Sequence, residues 1–182
     1  TARVFDVKQT SLAKLSNLIV ISPSRWLSTR ALSSQILRNN KHVILANFIQ
    51  EPAPTPVNKL IARQTLGLPL QKSIILIGAE SLDNRRKGSH LIPHLIQKIV
   101  DRFGSDVAFV FFGRCTIDLD VELYNFGFIK DPNTMRSIYS AADVFCMVST
   151  EENAPQTAIE SLLCGCPIIS FDVGNIADLV IH

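Results

Sequence analysis

Two carboxylates stand eight positions apart in "STEENAPQTAIESLLCGCP", residues 149–167: Glu152 and Glu160. A helix starting near Pro155 leaves its first amides, around Gln156 and Thr157, without intrahelical partners. That end is partly positive and attracts anions. Glu160 then lies about one turn inside the helix and Glu152 in the loop before it, so both are expected to face one cleft. Carboxylates accept hydrogen bonds from sugar hydroxyls, while the amides between them can face a phosphate. The plainer alternative is capping, with Glu152 favouring the helix dipole and Glu160 on the surface.

A second group is cationic. Arg85, Arg86 and Lys87 precede Gly88 and a helical pattern, a setting that suits an anion such as a phosphate. The alternative is a solvated basic loop. Gly113 closes the apolar run "DVAFVFFG" (106–113), where the backbone either turns or approaches a ligand closely. "NFGFIKDP" (125–132) sets Phe126 and Phe128 around Gly127, and an exposed ring there could hold a flat base. Otherwise both rings are core. His42, His90, His94 and His182 show no metal-ligand spacing. A nucleophile elbow, a glycine-lysine phosphate loop and a G-x-G-x-x-G fingerprint are all missing from the sequence.

Positioning these groups falls to an alternation of short apolar runs and amphipathic segments. Strands are expected at 17–23, 42–48, 72–80, 106–113, 121–129, 144–149 and 166–172. Helices are expected at 24–40, 57–69, 89–104, 131–143, from about 155, and from 175. Ser24 and Asp131 read as N-caps, and Pro132 as the first helical residue. In the helix at 24–40, Trp26, Leu27, Ala31, Ile36 and Leu37 fall near helical spacing. "IQEPAPTPVNK" (49–59) reads as a linker. Continuous apolar strands between amphipathic helices predict an α/β fold, a Rossmann-like parallel sheet with helices on both faces. Ligands of such sheets bind beyond the carboxyl ends of the strands. The loops carrying the groups above all follow strands.

Composition narrows the class. The chain has 182 residues, 47% apolar, with a net charge of +2. That is a folded protein with no charge excess to predict nucleic-acid binding. No apolar run is long enough to span a bilayer as a helix. Cys115, Cys146, Cys164 and Cys166 lack C-x-x-C spacing and read as buried thiols of a reducing, cytoplasmic compartment. The start at Thr1 and the end on "DLVIH" lead us to expect part of a longer protein.

The stretch "ENAPQTAIESLLCGCPIISFDVGNIADLV" (152–180) resembles the retaining glycosyltransferases of the GT-B architecture, in the family-4 group. Their second domain carries a glutamate, seven residues, a second glutamate, a small-residue helix end and a glycine turn. Glu152, Glu160, Gly165, Pro167 and Gly174 match that order, with Asn175 where a second glycine is commoner and Asp178 where glutamate is commoner. "NRRKGSHLI" (84–92), "FVFFG" (109–113) and "FGFI" (126–129) followed by "MRSIYSAADVFCMVS" (135–149) are similar to further family segments. "VISPSRWL" (20–27) resembles the end of the family's first domain and "ILANFIQ" (44–50) the crossing into the second. The family's glycine-rich loop is replaced here by "ENAP".

The resemblance implies a division of the chain: 1–49 as the tail of an N-terminal acceptor domain with its crossover, and 50–182 as a donor-binding domain cut short at its C-terminus. The 1–49 part is expected to lack a sheet of its own. By position, Lys87 with Arg85 or Arg86 would hold the donor diphosphate, and Thr157 and Gln156 would lie at the helix mouth near the phosphates. Glu160 would bind the ribose, the backbone near Phe128 would meet the base, and Glu152 would contact the donor sugar as the catalytic carboxylate. Gly113 would line the same site. The reaction implied is retaining transfer of a sugar from a UDP- or GDP-linked donor to an acceptor hydroxyl, without a metal or other cofactor. Further implications are a saccharide or lipid-linked acceptor held by the N-terminal domain, a role in cell-surface polysaccharide or glycolipid synthesis, and peripheral association of the whole enzyme with the inner face of the membrane. A GT-B epimerase or phosphorylase-like protein and a non-catalytic nucleotide-binding module are the competing readings.

Overall fold

The computed structural model describes residues 2–49, 52–114, 116 and 119–179. The chain opens with α1 (Ala2–Leu12), β1 (Ile19–Ser22), α2 (Arg25–Leu32) and β2 (Lys41–Ile44). It continues through α3 (Lys59–Thr65), β3 (Ser73–Ser81), α4 (Ile92–Phe103), β4 (Val107–Arg114) and β5 (Leu123–Asn125). It ends with α5 (Pro132–Ala141), β6 (Val144–Met147), α6 (Gln156–Leu163), β7 (Ile168–Ser170) and α7 (Ile176–Leu179).

Five strands form one sheet in the order β5-β4-β3-β6-β7, and every pairing is parallel. This is the expected α/β architecture. Strand residues alternate between two apolar layers, as a period of two requires. Ile74, Leu76, Val110, Phe112 and Phe145 pack with Ala62 of α3, Ile138 and Tyr139 of α5 and Ala158 of α6. Ile77, Ala79, Phe109 and Phe111 pack on the other face with Ile92 and Ile96 of α4. Burial on both faces is why β3 and β4 read as continuous apolar runs rather than alternating ones. On the α4 face, Ile169 and Phe171 after β6 stay exposed and edge an apolar hollow of about 340 Å³.

Strand order alone does not lock the layers. Asp143, between α5 and β6, accepts hydrogen bonds from Lys59 Nζ (2.8 Å), Arg63 Nη2 (2.7 Å) and the Ile74 amide (2.7 Å). Arg63 is buried and donates further to the main-chain oxygens of Ala141, Leu70 and Lys72. One buried guanidinium thus ties α3, the start of β3 and the turn before β6 together.

Three expectations are corrected. The helix at 24–40 stops at Leu32. Ser34 turns the chain there, its hydroxyl accepting from the Ile36 amide, and such local side-chain bonding competes with helix. The strand at 121–129 shortens to β5, because Asn125 Oδ1 bends back to accept from the Gly127 amide. Finally, 1–49 does carry a sheet: β1 and β2 pair in parallel from Ile19↔Lys41 to Ser22↔Ile44. Helix α1 was not anticipated, and its Val4, Phe5 and Val7 are exposed. Among the described residues, no helix is long and apolar enough to cross a membrane.

Candidate functional site

The carboxyl ends of β3, β4, β6 and β7 lie along one edge of the sheet, and their loops build the site. After β3, Asn84 Oδ1 accepts from the Arg86 amide and starts a single tight turn over Arg85–Lys87. That turn is fastened to the end of β6. The Thr150 amide donates to the Arg86 carbonyl at 2.9 Å. Gly88 follows with φ +75°, and a Cβ there would stand 1.9 Å from the Val148 carbonyl oxygen. Only glycine permits both the left-handed backbone and that approach.

The fastening places Lys87 against Glu152. Lys87 Nζ lies 2.5 Å from Glu152 Oε1, and the Glu152 side chain is only 9% exposed. Arg85 and Arg86 are exposed and form no ion pair among the described residues. Beyond Glu152 the loop leads to α6, whose N-cap, Pro155, offers no side-chain hydrogen bond. The first amides of α6 therefore open onto the loop, as expected for Gln156 and Thr157. The Gln156 side chain turns elsewhere and donates to the Phe48 carbonyl at 3.2 Å.

Glu160 takes a different neighbourhood from Glu152. The Tyr139 hydroxyl, in the core between α5 and α6, donates to Glu160 Oε2 at 3.2 Å. Burial raises the Glu160 carboxyl above its ordinary range, and the Tyr139 hydrogen bond opposes that only in part. Burial and then the Glu160 charge drive the Tyr139 phenol well above its own range. Tyr139 is also edge-on to Phe112 and Phe145, so the hydroxyl is held where it is.

A cleft of about 650 Å³ opens beside Glu152. It is lined by Trp26 and Arg30 of α2, by Arg86, by Thr150–Asn153, and by Asp172–Gly174. Of the residues expected from sequence, Arg86 and Glu152 line it, and Lys87 reaches it through Glu152. Glu160 is not part of that lining. Gly113 sits at φ +91° where a Cβ would come 1.6 Å from the Ala79 carbonyl oxygen. Its glycine is demanded by the close approach of β4 to β3. Phe128 is 47% exposed, with the Arg114 guanidinium 5.2 Å from its ring centre. Cys146, Cys164 and Cys166 are free and buried, and burial pushes the Cys164 thiol up to about 11. Cys115 and His182 lie outside the described residues.

Sequence reading missed Trp26, Arg30, Tyr139, Asn153 and Asp172. Trp26 was read as part of an apolar helix face, and nothing local shows that α2 stands over the loop after β6. That placement comes from long-range contacts. The Ser24 hydroxyl accepts from the Leu27 amide as N-cap and donates to Asn153 Oδ1 at 3.0 Å. Asn47 Nδ2 donates to the Ala154 carbonyl, and the Asn175 amide to the Asn153 carbonyl.

The family model of the glycosyl transferases group 1 matches residues 71–182. The chain belongs to this family. It is 27% identical over 131 residues to a D-inositol 3-phosphate glycosyltransferase of Corynebacterium urealyticum, covering 63% of this chain and 30% of that one. It is 28% identical over 135 residues to a glycogen synthase of Mycoplasma mobile, covering 68% of this chain and 28% of that one. The chain thus spans less than a third of the length of these curated relatives. Among solved structures, sucrose-phosphate synthase of Thermosynechococcus elongatus superposes with a TM-score of 0.76 at 22% identity, over 97% of this chain and 46% of that one. Anabaena HepE, solved with UDP and glucose, gives 0.68 at 20% identity, over 100% of this chain and 53% of that one. These glycosyltransferases share the fold of this member of the group 1 family.

Proposed function

We propose that this group 1 chain is the donor-binding part of a retaining glycosyltransferase that moves a sugar from a UDP- or GDP-linked donor to an acceptor hydroxyl. The observation that carries the proposal is the Lys87–Glu152 pair set at the mouth of the uncapped helix α6. Cation, carboxylate and free amides meet there, beside an open cleft. A nucleotide sugar presents the complementary series of diphosphate, hydroxyls and base.

Lys87, with exposed Arg85 or Arg86, and the amides of Gln156 and Thr157 hold the diphosphate. The bond between the anomeric carbon and the diphosphate oxygen breaks, and its electron pair leaves with the diphosphate. The acceptor oxygen bonds to the same face of that carbon, and the hydroxyl proton departs with the leaving phosphate. Positive groups preorganised around the developing charge lower the barrier. Side-chain cations fill this role, so the design calls for no metal. Glu152 is already hydrogen-bonded to Lys87, so arriving phosphate competes for Lys87 and frees the carboxylate toward the donor sugar. Glu160, held by Tyr139, accepts from the ribose hydroxyls, and the base lies at the exposed ring of Phe128. The reading extends to a cytoplasmic enzyme, associated with the inner face of the membrane, that builds cell-surface polysaccharide or glycolipid. Residues 1–49 act as the end of the acceptor domain and 50–182 as the donor domain.

The test is thermal unfolding with UDP, GDP and ADP, followed by calorimetric titration of nucleotide sugars. A ligand at 100 times its Kd stabilises by about 2.7 kcal/mol, a rise of roughly 5–10 °C for a chain of this size. Glu160→Ala or Lys87→Ala should remove most of that rise. The absence of a shift with any nucleoside diphosphate would sink the donor-site reading.

A further inference from the structure

We infer that Tyr139 is a positioning residue for nucleotide binding: its hydroxyl holds one oxygen of the Glu160 carboxylate and leaves the other to the ribose. The inference rests on the donor-site reading above and deepens it, since Tyr139 is buried and acts on a ligand only through Glu160.

Tyr139 stands in the last turn of α5 and is 1% exposed. Glu160, in the middle of α6, accepts from its hydroxyl through Oε2 at 3.2 Å. The ring has no room to swing away. It is edge-on to Phe112 of β4 and to Phe145 of β6, with ring centres 5.8 and 5.9 Å apart. Burial, and then the Glu160 charge, raise the phenol well above its ordinary range, so it keeps its proton. The bond therefore has one polarity, tyrosine donating and glutamate accepting. Glu160 Oε1 accepts no hydrogen bond among the described residues and keeps contact with solvent.

This hold acts on a ligand in two ways. A free glutamate side chain loses rotamer freedom when it engages a ligand, and a carboxylate already fixed at one oxygen has less to lose. Burial also disfavours the ionised carboxylate, and the Tyr139 donor opposes that. The ionised form is the stronger acceptor for a hydroxyl. The surrounding groups leave this task to Tyr139. Cys164 lies near both Glu160 and Arg136 of α5, and its thiol is pushed up to about 11. Burial raises the Cys166 thiol too, so neither thiol ionises near neutral pH. Arg136 donates to the Thr55 carbonyl, and an arginine keeps its charge in proteins. Lys59 and Arg63 of α3 are engaged by Asp143, and Glu152 before α6 by Lys87. Cys146 of β6 belongs to the α4 face of the sheet, β7 carries no ionisable side chain, and Asp178 of α7 is exposed.

The test removes one oxygen atom. Tyr139→Phe keeps the ring and its edge contacts. UDP and GDP, and their 2′,3′-dideoxy counterparts, are titrated calorimetrically into wild type and variant from about pH 5 to pH 9. The phosphate titration of the nucleotide is common to both proteins and cancels in the ratio. The variant should bind the ribonucleotide about tenfold more weakly at pH 7, the scale of one hydrogen bond to a charged group. The two proteins should bind the dideoxy nucleotides alike. The deficit should shrink as pH rises, because the variant's Glu160 ionises only at higher pH. Carbon-13 NMR of the free proteins, with Glu160→Gln identifying the carboxyl signal, should show its midpoint moving up in Tyr139→Phe. It should move down when 3-fluorotyrosine, a stronger donor of nearly the same shape, replaces Tyr139; this second variant serves if the first fails to fold. An equal loss for ribose and dideoxy nucleotides assigns Tyr139 to packing and overturns the inference. An unmoved Glu160 midpoint overturns it as well, with the donor site left standing wherever nucleotide still binds. A wild-type chain that binds no nucleoside diphosphate overturns the donor site and the role of Tyr139 together.

Discussion

Asp143→Ala should cost this protein about 3–5 kcal/mol, because it strands a buried guanidinium. Arg63 is 4% exposed and keeps its bonds to the carbonyls of Ala141, Leu70 and Lys72, but loses its only carboxylate among the described residues. The Asp143 side chain is 38% exposed, so water offsets part of the loss and the lower end of the range applies. The Lys59 partner is 47% exposed, and that pair contributes only about 0–1 kcal/mol. The Ile74 amide also loses its acceptor, at about 1–3 kcal/mol for a buried donor. Asp143→Asn keeps a neutral oxygen for both the Ile74 amide and Arg63, so the difference between the two variants measures those hydrogen bonds apart from the carboxylate charge. At roughly 2–4 °C per kcal/mol for a chain this long, Asp143→Ala should melt about 6–12 °C lower. Burial pushes the Asp143 carboxyl up, but hydrogen bonds from Lys59 and the Ile74 amide, with the Arg63 charge, hold it below its ordinary value. The native state therefore binds fewer protons than the unfolded one. The stabilisation is complete above the unfolded pKa of about 3.9 and fades as pH falls through the lower native value. Urea unfolding from pH 7 down to pH 3 measures this. A loss under about 1 kcal/mol at pH 7, or a loss that does not shrink in acid, refutes the network as described.

Gly88→Ala combines a left-handed backbone, costing about 1–2 kcal/mol, with a Cβ driven onto the Val148 carbonyl. It should lower stability by at least that much and weaken the nucleotide-induced thermal shift, since Arg85–Lys87 must move; urea titration and thermal shift read both. Glu160→Gln should act in opposite directions on the two. Burial raises the native carboxyl pKa, so its ionised form costs stability as pH rises through that value, and this cost is absent below the unfolded pKa near 4.3. The glutamine variant should therefore melt slightly higher than wild type at pH 7, by no more than about 1 kcal/mol for a partly solvated group, while losing nucleotide affinity. Cys164 and Cys166 should resist iodoacetamide at pH 8 in the native protein and react in urea, as peptide mapping by mass spectrometry would show. Native labelling would contradict the burial of both thiols and the raised Cys164 pKa.

Local rules carried much of this fold. Asp131 and Pro132 announced α5, and the structure has Asp131 accepting from the Asn133 and Thr134 amides. The apolar runs at 72–80 and 106–113 announced two central parallel strands, because only burial on both faces leaves no polar alternation. The cationic turn before Gly88 and the glutamate before α6 were legible too, because both follow strands whose carboxyl ends carry sites in open sheets. The ends of α2 and β5 were not. Ser34 and Asn125 decide them by bonding their own backbone, a competition that apolar spacing does not register.

By itself the sequence determined the order of strands and helices from β1 onward, the two-layer burial and the residue types at the strand ends. These follow from periodicities of 2 and 3.6 and from caps that act within a few residues. Only the tertiary structure decided that Lys87 bonds to Glu152, 65 residues away, and that Glu160 accepts from the Tyr139 hydroxyl. It alone set Trp26 over the loop after β6, through a serine and an asparagine 129 residues apart. Such pairs depend on strand order and on which face a helix turns inward. Side-chain spacing along the chain carries no record of either.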